Sequence, residues 1–145
     1  MMQRVRSVGG VAVAVAIVAA AGCSAPGNVF SLTAGDCFDD PDGAVDEVTD
    51  LPLVDCEEPH DNEVYAATEL PDGDFPGPDQ TLALAEDRCL PAFEPYVGQP
   101  YEASELFATW LVPTEGSWQD GDREIVCVLF DGPGPLKGSM EDSGR

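Results

Sequence analysis

The chain has 145 residues and carries 28 acidic side chains against six Lys and Arg, for a net charge of −22. Every acidic residue follows Cys23, where only Arg88, Arg123, Lys137 and Arg145 oppose them, four against 28, so that part carries −24. Phosphate backbones are bound through Lys and Arg, so nucleic-acid binding is excluded, and anionic lipid headgroups repel such a surface within a Debye length of about 8 Å.

The first element is an N-terminal export signal over residues 1–22. Arg4 and Arg6 precede an uncharged run, Val11 to Ala21, of Ala, Val and Ile. A basic start, a short apolar segment and small residues before a cleavage point make a secretory signal peptide. About 11 residues at 1.5 Å rise are too few to span a bilayer. The run ends in Ala19-Ala20-Ala21-Gly22-Cys23, which resembles a bacterial lipobox, with Ala20 where such boxes usually carry Leu. The resemblance implies that Cys23 is acylated, with chains of the palmitate class, and becomes the mature N-terminus. The alternative is ordinary cleavage near Ala21, leaving Cys23 as an odd thiol. Each buried acyl methylene supplies roughly 0.8 kcal/mol, so an anchor outweighs the screened repulsion of the acidic surface.

Residues 23–29 read as a lipidated tether. Ser24 to Asn28 extends at most about 18 Å, which holds the following domain close to the membrane. From Phe30 no linker, repeat or composition break interrupts the chain, so residues 30–139 form one domain and 140–145 a tail.

Within the domain, Phe30 to Ala34 alternates and predicts a strand entrance, with Gly35-Asp36 as a turn. Asp39-Asp40-Pro41-Asp42-Gly43 is turn chemistry. Val45 to Val54 alternates poorly, and Pro52 argues for an edge strand or an irregular segment. Glu63 to Leu70 predicts a strand with Val64, Ala66 and Thr68 on one face. Asp79 is placed as a helix N-cap. Leu82, Ala85, Cys89, Ala92, Phe93 and Tyr96 then recur in steps of three or four, the spacing of a helix. Pro91 is expected to kink or restart it. Leu106 to Val112 predicts a buried strand closed by Pro113, and Thr114 to Asp122 a turn with one helical turn at Trp118. Arg123 to Phe130 is apolar on both faces from Ile125 onward and belongs at the centre of its sheet, beneath the helix. The tail from Gly132 wraps the surface or frays. The expected fold is α+β, a small, mainly antiparallel sheet with one helix, kinked at Pro91, packed on it.

Five cysteines divide into Cys23 and a set of four, Cys37, Cys56, Cys89 and Cys127. An even number in an exported chain predicts two disulfides. Zinc is disfavoured, with no C-x-x-C pair and a single histidine. Three pairings are open. Cys37 and Cys56 flank one hairpin, while Cys89 on the helix stripe faces Cys127 in the central strand, which favours Cys37–Cys56 and Cys89–Cys127.

His60 is the only histidine, so any His-dependent chemistry must use it. A Ser-His-Asp arrangement with Asp61 and Ser104, Ser117 or Ser139 lacks a nucleophile elbow. The competing reading is a loop histidine bonded to backbone at the entrance to the next strand. Asp39, Asp40 and Asp42 echo a calcium loop without its spacing or its twelfth-position glutamate. Trp110 reads as core, and Trp118 divides evenly between core and a binding surface. No catalytic residue, metal or cofactor is assigned.

Taken in order, Gly35-Asp36-Cys37-Phe38, Val54-Asp55-Cys56, Glu58-Pro59-His60 and Glu63-Val64-Tyr65 form a pattern. It continues with Cys89, Phe93, Tyr96-Val97-Gly98, Pro113-Thr114, Ser117-Trp118, Gly121-Asp122-Arg123 and Val126-Cys127. Together these resemble the septum formation domain of small actinobacterial lipoproteins, over about Phe30 to Ser139. The resemblance implies an extracytoplasmic location, a disulfide scaffold and an association with cell division; it carries no catalytic residues. The expected function is a lipid-anchored, non-enzymatic module on the outer face of the cell membrane, binding an envelope or division protein. The alternative is an envelope-modifying hydrolase using His60 and nearby carboxylates.

Overall fold

A computed structural model describes residues 26–28, 31–41 and 50–145. The export signal, Cys23, Phe30, Asp42, Val45 and Val48 lie outside the described residues. The elements are β1 (Pro26–Asn28), β2 (Cys37–Phe38), β3 (Asp50–Val54), β4 (Asn62–Glu69) and α1 (Pro78–Val97). A 3-10 turn (Tyr101–Ala103), β5 (Leu106–Leu111), α2 (Glu115–Gln119) and β6 (Glu124–Asp131) follow. All pairings are antiparallel, in the order β1-β3-β2-β4-β6-β5. The expected α+β sheet with one main helix is the fold observed.

The sheet is organised by β6, which pairs with β4 on one side and β5 on the other. Ile125 to Leu129 are all buried. Ile125, Cys127 and Leu129 face α1, while Val126 and Val128 face a second cluster with Leu32, Phe38, Leu51 and Val64. Two buried faces explain the unbroken apolar run, each buried aliphatic side chain contributing about 1.5–3 kcal/mol.

The helix meets the sheet through a strict four-residue stripe, Thr81, Ala85, Cys89, Phe93 and Val97. Leu82, expected on that stripe, is 47% exposed. The helix also starts earlier than expected. Gly77 is its N-cap, Pro78 occupies the first turn, and Asp79 lies inside that turn rather than capping it. Pro78 suits this place because the first N–H groups of a helix have no partner to lose.

Pro91 and Pro95 both lie inside the continuous helix, so the expected interruption is absent. The reason is geometric. Asp87, Pro91 and Pro95 are exposed and follow one another on the solvent side. The carbonyls of Asp87 and Pro91, deprived of N–H donors four residues on, therefore lie where water can reach them. Gly98 ends the helix in the left-handed region, φ 85°, and donates its N–H to Glu94 O.

Four further readings are corrected. Ser31 to Ala34 is not a strand: Ser31 is in a 3-10 turn, Leu32 and Thr33 are irregular, and Ala34 opens the turn with Gly35. Pro26–Asn28, within the segment read as tether, instead pairs with β3. Val64 and Ala66 lie on opposite faces because a bulge intervenes at Tyr65: Val64 pairs with Val128, and Ala66 with Cys127. The extra residue carries its phenol onto α1, where Tyr65 donates to Cys89 O at 3.1 Å. Finally, β5 is an edge strand with only Leu106 buried.

Pro52 in β3 sits opposite Pro26, while β2 pairs only with Leu53 and Val54, so its missing N–H leaves the bonds to β2 intact. The segment after β6 is ordered rather than frayed. Leu136 bridges His60, and Met140 is buried in the α1 cluster. Asp142 and Gly144 donate their N–H groups to Tyr96 O and Val97 O.

Both disulfides pair as the helix placement requires. Cys37 joins Cys56, and Cys89 joins Cys127 with Cα atoms 5.4 Å apart, pinning α1 to β6.

Candidate functional site

The polar loop Cys56 to Asp61 delivers His60 inward, not outward. Backbone bonds in both directions between His60 and Leu136 clamp the histidine between loop and C-terminal segment. Its side chain is sealed from solvent, as is that of Glu63 at the start of β4. His60 lies three residues before Glu63 at the entrance to β4, and the Glu63 side chain reaches Tyr96 of α1.

Glu63 is held by three donors. The Tyr96 hydroxyl and the Ser139 hydroxyl each donate to Oε1 at 2.6 Å, and Met140 N–H donates to Oε2 at 2.8 Å. These donors satisfy both oxygens of a carboxyl group sealed from water. Burial, and next the bond to Glu63, push the Tyr96 phenol well above its ordinary value, so it remains a donor.

His60 has a different status. Its Nδ1 lies 2.9 Å from Glu58 O. A carbonyl only accepts, so Nδ1 carries the proton in that bond, and in the neutral ring Nε2 holds a lone pair. Nε2 is 4.0 Å from Glu63 Oε2, too far for a hydrogen bond, and has no partner. Ligand atoms of Cys37, His60 and Glu63, one from each residue, fall within 4.8 Å of one another. Cys37 is disulfide-bonded, and a disulfide sulfur is not the thiolate a metal needs. The group is therefore not a metal centre in this state.

The bland reading of His60, a histidine bonded to backbone at the strand entrance, matches the Nδ1 contact. The arrangement imagined around it does not form. Ser139 bonds Glu63 rather than His60, and Ser104 bonds the Arg145 carbonyl. Ser117 caps α2 with Thr114, and Asp61 accepts from Asp40 N–H. Asp40 in turn accepts from Asn62 Nδ2 at 2.7 Å, ordering the start of β4. Trp118 is core, 7% exposed, with its indole N–H donating to Gly73 O. Trp110 is half-buried against the same core.

A solvent-open depression lies elsewhere, lined by Glu105, Phe107, Asp131, Gly132, Pro133 and Arg145. Arg145 closes one side through a 2.6 Å ion pair with Asp131. Phe107 is 48% exposed on the free edge strand and stacks on Phe130. Sequence reasoning missed this feature because LFATWL read as a buried strand; the single available signal was Glu105 immediately before it.

The septum formation profile matches residues 28–134 of the chain. This span holds both disulfides, the sealed His60–Glu63 pair and all of the sheet from β2 onward. The chain belongs to the septum formation family. The resemblance in its cysteine and E-P-H contexts therefore holds, and links the septum formation domain to a role in septum formation. No curated protein matches the chain, and no solved structure matches it. Among the described residues, no helix is long and apolar enough to cross a membrane.

Proposed function

We propose that this septum formation protein is a lipid-anchored module on the outer face of the cell membrane that binds an envelope or division protein. The observation that carries the reading is the cysteine pairing. Cys37–Cys56 and Cys89–Cys127 use four of the five cysteines, and the one left over is Cys23, at the end of the apolar run. Disulfides of this kind belong to oxidising compartments, which supports export. The hydrolase alternative requires an imidazole open to substrate, and the sealed His60 side chain gives it no support.

For the interface, the reading rests on β5. A free edge strand with an exposed aromatic and no Lys or Pro guarding it is a ready pairing surface. The strong negative charge favours a partner with basic residues near the contact.

The test has two arms. Cys23→Ser should abolish labelling by radioactive palmitate in cells and leave the precursor unprocessed. A variant still processed and held on the membrane without lipid would overturn the anchor. A photocrosslinker at Phe107 should capture an envelope or division protein, while one at exposed Leu82 on α1 should not. Equal capture at both positions, or at neither, would overturn the interface.

A further inference from the structure

In the oxidised protein the neutral His60 ring gives Nδ1–H to Glu58 O and presents a lone pair at Nε2, which is buried with no hydrogen-bond partner. Its neighbours explain why. Glu63 is an acceptor already bonded by three donors, and Cys37 lost its proton when it bonded Cys56. An unpaired buried polar atom is costly, and it points to a state in which the vacancy is filled. Reduction fills it. A thiol at Cys37, whose sulfur lies within 4.8 Å of a ring nitrogen of His60 and can rotate toward the ring once the disulfide opens, is the one group of this cluster that can regain a proton to donate.

We infer that Cys37–Cys56 is an exchangeable disulfide, with His60 the proton acceptor for Cys37, and that it reacts with thiols of neutral or positive charge.

The two sulfurs are differently placed. Cys37 is 2% exposed, whereas Cys56 is partly exposed in a loop whose neighbours Asp55, Glu57 and Glu58 are all exposed. Attack therefore falls on Cys56. A thiolate RS⁻ bonds Cys56 Sγ, the Cys37–Cys56 bond breaks, and its electron pair leaves on Cys37 Sγ. The proton released by RSH is taken up at Cys37, which then donates S–H to His60 Nε2. A second RSH displaces Cys56 as a thiol and leaves as RSSR, so two thiols are oxidised for one disulfide reduced. In reverse, Nε2 takes the Cys37 proton and the resulting thiolate attacks Cys56 in the mixed disulfide. The carboxylates of Asp55, Glu57 and Glu58 around Cys56 repel anionic thiols, which sets the charge preference. Because the reduced form gains a hydrogen bond that the oxidised form lacks, the bond is more easily reduced than Cys89–Cys127, both of whose cysteines are fully buried between α1 and β6.

Equilibrating the full chain in cysteamine–cystamine mixtures, with alkylation and peptide mapping, reads each disulfide separately. Cys37–Cys56 should be half-reduced at a ratio at least tenfold more oxidising than Cys89–Cys127. His60→Phe should shift that equilibrium at least tenfold toward the disulfide, about 30 mV for a two-electron couple, and leave Cys89–Cys127 unmoved. Should His60→Phe fail to fold, the wild-type chain still decides, because its single histidine gives one unambiguous imidazole in nitrogen NMR. The Nε2 resonance should move from a free lone pair to a bonded or protonated nitrogen as Cys37–Cys56 is reduced. An imidazole spectrum unchanged on reduction, or an unshifted equilibrium in folded His60→Phe, would overturn the inference.

Discussion

The Tyr96 hydroxyl donates to Glu63 Oε1 at 2.6 Å, tying the last turn of α1 to the first residues of β4 across 33 positions of sequence. A hydrogen bond to a charged group is worth about 1.5–3 kcal/mol, so Tyr96→Phe should lower unfolding free energy by about that much in urea. The same contact has a pH signature. Burial, then the Glu63 bond, raises the Tyr96 phenol above its ordinary value, and burial does the same at Tyr65. A raised pKa means that the folded protein keeps protons which the unfolded chain releases above about pH 10. Stability should therefore hold below that value and fall as pH rises beyond it. Tyr96→Phe should show a shallower alkaline fall than the parent chain in urea titrations at successive pH values.

Glu124 works against the fold. It pairs directly across the ladder with Glu69, and its Oε2 has no hydrogen-bond partner. Burial raises its carboxyl above the ordinary value, and Asp122 and Glu69 add to the shift. Like charges directly opposite destabilise a strand pair by about 0.2–1 kcal/mol. Glu124→Gln should therefore raise the melting temperature slightly at pH 7. For a raised carboxyl, the folded protein takes up the proton first as pH falls, so the penalty is present at neutral pH and relieved on acidification. The gain from Glu124→Gln should shrink as pH drops through the carboxylate range. A constant gain across pH would assign it to something other than charge.

The two disulfides should differ in what their loss costs. Sequence separations of 38 and 19 correspond in the chain-entropy model to about 4 and about 3 kcal/mol. Cys89 and Cys127 are also packed among Tyr65, Phe93 and Leu129, so removing that bridge disturbs the main cluster as well. Cys89→Ala/Cys127→Ala should destabilise more than Cys37→Ala/Cys56→Ala, measured by equilibrium urea unfolding. Equal losses would mean that the helix-to-sheet bridge contributes through loop closure alone.

What the sequence disclosed was whatever is set by periodicity over many residues. The apolar run of β6, the helical spacing around Cys89 and the resulting Cys89–Cys127 bridge are all local patterns meeting at one plane. Single-residue events were hidden. One extra residue at Tyr65 reverses the faces of Val64 and Ala66, and nothing in VYA marks a bulge. Pro91 looked like a break because its effect depends on where the freed carbonyl points, and here that is outward. The candidate site was half visible: His60 stood out by being alone. Glu63 looked like a surface acid, and its partner Ser139 lies 76 residues away, a contact that only the folded C-terminal segment creates.

Arg123 is the pivot between α2 and β6. Its Nη1 donates to Trp118 O at 2.8 Å and Asp122 O at 2.7 Å, and its guanidinium carbon lies 3.8 Å from the Trp118 ring centroid. The first bond adds to that of Gly121 N–H on a carbonyl near the C-terminal end of α2, where a positive charge is favoured. Its Nε also lies 3.5 Å from Asp72 Oδ1, without a hydrogen bond, and the Asp72 side chain is fully exposed. Solvent screens that ion pair, so the work falls to the carbonyl bonds and the ring. Hydrogen bonds from a charged group, about 1.5–3 kcal/mol when desolvated and less at this partly exposed guanidinium, and a cation–π contact of about 0.5–1 kcal/mol set the scale. Arg123→Ala should cost about 2 kcal/mol, while Asp72→Ala should leave stability unchanged within error. Arg123→Lys should recover only part of the loss, because a single ammonium cannot reach both carbonyls while lying flat on the indole. Unfolding in low and high salt separates the contributions: the Arg123→Ala penalty should persist at high salt, and one that vanished there would return the role to the Asp72 ion pair.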